Sequence, residues 1–158
     1  MNARTFAPLR ADIERELEAL STLEQEARQL LDEKTGEPTF WQVRTAGSIL
    51  HDFYTGIEKI FRRIALEIDG GLPAGPDWHI QLLERMSTSI ESCRPAVISR
   101  ELKELLSEYL RFRHLFRYVY GFKLRWDRCE ELLRDMPDVK ARFEKELRLF
   151  EEFLRSLE

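Results

Sequence analysis

Apolar residues recur along this chain at three- and four-residue steps, and no segment alternates over the length of a strand, so the pattern predicts helices throughout. From Leu9 to about Asp32, Leu9, Ile13, Leu17, Leu20, Leu23, Ala27, Leu30 and Leu31 form one stripe, and the acids Glu14, Glu16, Glu18, Glu24 and Glu26 crowd the other face as solvated surface. A turn over Lys34 to Pro38, with Gly36 available for a left-handed conformation, leads into a second helix from Phe40 to about Ile68. Its stripe includes Val43, Phe53, Ile57, Ile60, Phe61, Ile64 and Ile68. The following Asp69-Gly-Gly-Leu-Pro-Ala-Gly-Pro76 cannot continue that helix, because glycine removes stiffness and proline removes a donor. Asp77 is placed to cap a third helix, Trp78 to about Ser89, with Leu82, Leu83 and Met86 on its apolar side. Beyond the break at Cys93-Arg94-Pro95, Ser99 is placed to cap a fourth helix, Arg100 through about Tyr120. Its expected buried stripe is Leu102, Leu105, Tyr109, Phe112, Phe116 and Val119, and Gly121 is its expected stop. A fifth helical segment, Arg125 to Leu157, is expected to kink or end at Met136-Pro137 and to resume with Asp135 as its cap.

A chain of 158 residues has room for one domain with a real core and not for two comfortable ones. We therefore expect residues 1–158 to form a single all-α, up-and-down helical bundle. The two cysteines, Cys93 and Cys129, lack zinc-site spacing and read as inert thiols in a reducing compartment. The N-terminal Met-Asn-Ala-Arg-Thr-Phe-Ala-Pro has no apolar signal core and no stretch is long enough to span a bilayer, which places the protein in the cytoplasm.

Charge adds a feature that hydropathy does not show. The whole chain carries a net charge of -4, yet from Arg111 to Arg128 it sets Arg111, Arg113, Arg117, Lys123, Arg125 and Arg128 against the single acid Asp127. On an ideal helix Arg113, Arg117 and Tyr120 fall within about 60 degrees of one another, beside Tyr109, forming one stripe next to the core face. Arg113 and Tyr118 are about 140 degrees apart, so one straight helix cannot aim both at one phosphate. Either the helix loosens towards Gly121 or a second copy of it completes the site. Aromatic residues interleaved with arginine suit base stacking and phosphate binding, and the same residues also serve as amphipathic covering for a core. His79, in the first turn of the third helix, reads on its own as a surface or structural histidine.

The segment Arg113-His-Leu-Phe-Arg-Tyr-Val-Tyr120 resembles the motif of HEPN-domain ribonucleases, in particular the HepT-like toxins of prokaryotic toxin and antitoxin pairs. That motif is an arginine, four residues, a histidine, one residue and a tyrosine. Here Tyr118 stands where the family has histidine. The likeness extends to Ile49 through Ile60, Gly71 through His79 and Arg94 through Glu101, and is clearest over about residues 40–133. It makes Asp77-Trp78-His79 look like a family feature without assigned chemistry, outside the catalytic set. The resemblance implies a homodimer with the RNA site in the groove between copies, and cleavage without metal or cofactor. Arg113, His114 and Tyr118 would be the catalytic residues, with Arg111 and Arg117 binding RNA phosphate. It also implies a partner, a minimal nucleotidyltransferase of the MNT type, which in some members transfers AMP to the motif's terminal tyrosine, here Tyr120.

Tyrosine in the histidine slot changes the chemistry. Moving from an ordinary pKa near 6.5 to one near 10 costs about 5 kcal/mol in the availability of a base at neutral pH. His114 is then the only side chain of the motif whose type titrates near neutrality, and it lies about 40 degrees from Tyr118 on the wheel. Two functions fit: a HepT-like ribonuclease toxin, and a HEPN module that has lost catalysis and works by dimerising and binding a partner or RNA. Tyr118→His should therefore gain cleavage or cellular toxicity, while His114→Ala should lose cleavage and keep most RNA binding. Cleavage that survives His114→Ala and dies with Tyr118→Phe would reverse the assignment.

Overall fold

Five helices pack together in the computed structural model, which describes residues 5–158. The first four residues, part of the segment read as lacking a signal core, lie outside the described residues. The helices are α1 (Ala7–Glu33), α2 (Phe40–Ile64), α3 (Trp78–Met86), α4 (Arg100–Tyr118) and α5 (Trp126–Ser156). Among the described residues there is no strand, only an isolated bridge between Ile90 and Arg94. The expected all-helical architecture is what forms, and among the described residues no helix is long and apolar enough to cross a membrane.

α2 is the central element because its sequence is apolar on more than one side. Ile49, Leu50, Phe53, Ile57, Ile60, Phe61 and Ile64 are all buried, and the helix packs against α1, α3, α4 and α5. Its start is fixed by a reciprocal pair in which Thr39 Oγ1 accepts from the Gln42 N–H at 3.1 Å and Gln42 Oε1 accepts from the Thr39 N–H at 2.9 Å. A Cβ on Gly47 would lie 2.7 Å from Phe116 Cε2 and 2.8 Å from Leu124 Cδ1, so the absence of a side chain there lets the end of α4 seat on α2. At its other end α2 runs on through one wide π turn, Ala65–Asp69, and stops at Gly70 in the left-handed region.

α4 departs from its expected form at three points. Ser99 caps it as anticipated, accepting from the Leu102 N–H at 3.1 Å, and Glu146 of α5 in turn accepts from both the Ser99 amide and hydroxyl. The helix ends at Tyr118, with Val119 extended and Gly121 inside a short 3-10 turn, so Gly121 is not a left-handed stop. What excludes a side chain at Gly121 is Arg44, whose Nε would lie 2.7 Å from its Cβ. The buried stripe also shifts: Leu105 is 38% exposed, and Leu106, Leu110 and Arg113 are buried instead. The reason is that α4 packs on α3 as well as α2, which widens its buried arc towards α3.

Of the two outcomes expected at Pro137, a kink or an end, the end does not occur. α5 is continuous, and Asp135 caps nothing because no helix begins there. Losing one intrahelical bond at proline costs about 3 kcal/mol. Leu133, Met136, Val139 and Phe143 bury one continuous face on both sides of it, at about 1.5–3 kcal/mol for each fully buried large side chain, which outweighs that loss. In the turn before the proline, the Tyr109 hydroxyl donates to the Leu132 carbonyl at 2.7 Å and ties α4 to α5.

α3 is short and is held mainly through its flanks. Asp77 occupies the cap position, but its side chain makes no capping bond. Arg94, in the loop after α3, forms a buried two-point pair with Asp69 at the end of α2, Nε to Oδ1 at 2.6 Å and Nη2 to Oδ2 at 2.9 Å. Its remaining donors reach the Thr88 and Pro95 carbonyls at 3.0 and 3.1 Å. Arg94→Ala should lower unfolding free energy by about 3–5 kcal/mol, because it leaves Asp69 buried and unpaired. Arg111→Ala, which removes an exposed pair with Glu108, should cost within about 1 kcal/mol in the same denaturant titration.

Candidate functional site

The motif arginine turns inward. Arg113 is 5% exposed, and its Nη2 donates to Glu58 Oε2 of α2 at 2.8 Å while Nη1 reaches Thr55 Oγ1 at 3.4 Å. Thr55 and Tyr54 lie three and four residues before Glu58 on α2, so each neighbours the carboxylate on the side of the helix that meets α4. The Arg113 guanidinium carbon sits 4.9 Å from the Tyr54 ring centre. The Tyr54 hydroxyl is buried without a hydrogen-bond partner, and burial, then the Glu58 charge, pushes its pKa far above the ordinary phenol range, so it stays protonated.

A third helix joins this pair. His79, in the first turn of α3, places Nδ1 2.8 Å from Glu58 Oε2 and 3.0 Å from Arg113 Nη2. Its ring lies against Trp78 with centroids 3.7 Å apart and planes tilted by 32°, and Arg62 of α2 lies over Trp78 in turn, 5.5 Å from the ring centre. One carboxylate oxygen therefore gathers groups from α3 and α4 onto α2.

Above this triad runs a groove of about 640 Å³ between α3 and α4. His79 and Arg113 line it together with Arg111, His114 and Arg117, and Ile80, Leu83 and Leu110 give it apolar walls. Asp77 and Glu84 add acids at its edge, where Glu84 pairs with Lys103 at 2.8 Å. The Lys103 ammonium, first by hydrogen bonding, holds the Glu84 carboxyl below its ordinary range.

Four of the residues singled out from the sequence, Arg111, Arg113, His114 and Arg117, thus share one groove. Tyr118 does not line it. Its ring lies against His114, centroids 4.9 Å apart, and 76% of the residue is exposed. Tyr120 lies elsewhere, in a hollow with Trp41, Arg44 and Phe116. The expected stripe of Arg113, Arg117 and Tyr120 beside Tyr109 does not form: α4 ends before Tyr120, and Tyr109 is buried with its hydroxyl bonded to α5. Sequence reading missed Glu58 and set His79 aside. The signal for Glu58 was an acid in step with Tyr54, Ile57 and Phe61 on an otherwise apolar face.

A family model described as HepT-like protein matches residues 45–154. No curated protein and no solved structure matches the chain.

The burial of Arg113 changes what its removal tests. Arg113→Leu should cost about 3–5 kcal/mol by stranding Glu58, and Glu58→Leu should cost a comparable amount, whereas the double variant should lose clearly less than the sum. Denaturant unfolding of the three variants measures this, and strict additivity would show that the pair is not coupled.

Proposed function

The chain belongs to the HepT-like family, and from that membership we propose that it is the toxin of a prokaryotic toxin and antitoxin pair, an endoribonuclease that works without metal. The observation that carries this reading is the convergence of Arg111, Arg113, His114 and Arg117 on one groove of an otherwise acidic chain. Arg111 and Arg117 are exposed and take RNA phosphates on the rim. Arg113 marks the reacting phosphate and stabilises charge that develops on it. His114 transfers a proton in place of the missing motif histidine, and Tyr118 beside it contributes a hydrogen bond and not a base. A second copy of the chain closes the groove. The partner is a nucleotidyltransferase of the MNT type, and AMP placed on Tyr120 adds phosphate charge next to Arg44.

One observation favours a second reading. Arg113 is already committed to Glu58 and scarcely exposed, which suits a module that binds RNA or the nucleotidyltransferase without cutting.

Incubating the native protein with single-stranded RNA in chelator, after light scattering has fixed its oligomeric state, separates these readings. A dimer that cleaves supports the first, and a dimer that binds without cleaving supports the second. Arg111→Ala and Arg117→Ala should each weaken binding across all sequences and reduce the salt dependence of log K by about 0.7, one phosphate contact on a single strand. A strict monomer with unchanged RNA affinity in both variants would remove the groove from the account.

A further inference from the structure

We propose, on the ribonuclease reading above, that His79 is the second proton-transfer residue of this site, the general base opposite His114. Cleavage of RNA through its own 2'-hydroxyl needs two proton movements. The 2'-oxygen loses its proton as it bonds to phosphorus, and the 5'-oxygen gains one as its bond to phosphorus breaks, leaving a 2',3'-cyclic phosphate. The motif offers one histidine, because Tyr118 fills the other position, and His79 is the only further histidine in the groove.

The geometry suits a base in particular. Glu58 Oε2 can only accept, and at 2.8 Å it takes a hydrogen from His79 Nδ1, which leaves the Nε2 lone pair bare. The competing arrangement, Arg113 Nη2 donating to Nδ1 across 3.0 Å, would put the proton on Nε2, but it lacks the attraction of a carboxylate for the imidazole it would have to orient. Once His79 has taken a proton, Glu58 faces the new charge directly and offsets the neighbouring Arg113. Trp78 lies against the ring at a tilt of 32° and limits its rotation, and 26% of the His79 side chain, which lines the groove, remains exposed. Glu58 is thus a positioning residue with two duties, holding Arg113 for the phosphate and His79 for the 2'-hydroxyl. His114, on α4, returns the proton at the 5'-oxygen, and solvent resets both rings. The charged and titratable groups around His79 are Glu58 on α2, Arg113 on α4 and, along the same groove, Asp77 and Glu84 from the α3 side and Lys103, Arg111, His114 and Arg117 from α4.

Single-turnover cleavage of a short RNA by the full chain across pH tests this, with His79→Gln as the main variant and His79→Asn as a second that keeps an amide donor if the first misfolds. Either should cut about a hundredfold more slowly or worse. Each should also lose the acidic limb of the pH–rate profile, because a base works only once it is deprotonated, while the alkaline limb persists. Affinity for an RNA with a 2'-deoxy cleavage position should stay within about threefold of the native value. A histidine that merely supports the fold would lower the rate without removing a limb. Variants that cleave near the native rate with both limbs present would overturn the role of His79 and leave the ribonuclease reading standing. A native dimer that binds RNA and cleaves none would overturn the ribonuclease reading, and the role of His79 with it.

Discussion

The buried pair between Glu58 and Arg113 sets the geometry of everything around the groove. Each side chain is about as hidden as the apolar core, 7% and 6% exposed, so neither charge has water to fall back on. Taking both out of solvent is expensive, and their attraction repays it only when the geometry is good and the other lone pairs are met. His79 and Thr55 supply those bonds. The consequence is orientational. With Arg113 fixed inward, α4 cannot rotate, and Arg117, one turn further on, is delivered to the groove with His114 beside it. A hydrophobic contact at this position would tolerate slippage that a guanidinium held by Glu58 and Thr55 does not.

The wall opposite α4 depends on a second buried pair well away from the groove. α3 has only nine residues, too few to stand alone, and in sequence it lies between Asp69 and Arg94, which are bonded to each other. Arg94 also accepts no freedom from α3 itself, since its Nη2 lies 3.3 Å from the Arg85 carbonyl, and Arg85 in turn donates to the Gly71 carbonyl at 2.9 Å. These bonds knit the loops before and after α3 into one brace. His79 meets Glu58 because that brace sets where α3 begins.

How much of this was legible in the sequence divides along sequence separation. α1 and α2 could be bounded to within a few residues because periodicity is local and their apolar faces are long. The Thr39 and Gln42 pair was also written locally, three residues apart, and simply went unread. Pro137 misled because the rule for proline is local, whereas burial on both sides of it is tertiary. The direction of Arg113 was not legible at all: its acid is 55 residues earlier and its histidine 34 residues earlier. A helical wheel places a residue on a face and is silent about what that face meets. The same limit hid His79, which has no local partner except Trp78.

The wide turn at the end of α2 has an implication for how such chains can vary in length. A π turn holds one residue more than an α turn in the same helix, and Ala65–Asp69 is that kind of turn. The wide turn itself can absorb the loss of one residue by winding as an α turn, but a single-codon deletion in the regular helix between Glu58 and Ile64 would swing Asp69 by about 100 degrees about the helix axis, away from Arg94. The brace behind α3 would open and His79 would part from Glu58, although no residue of the groove had been altered. Frame-preserving deletions in that stretch belong with groove mutations in their effect, and the spacing between Glu58 and Ile64 is as much a part of the site as the side chains in it.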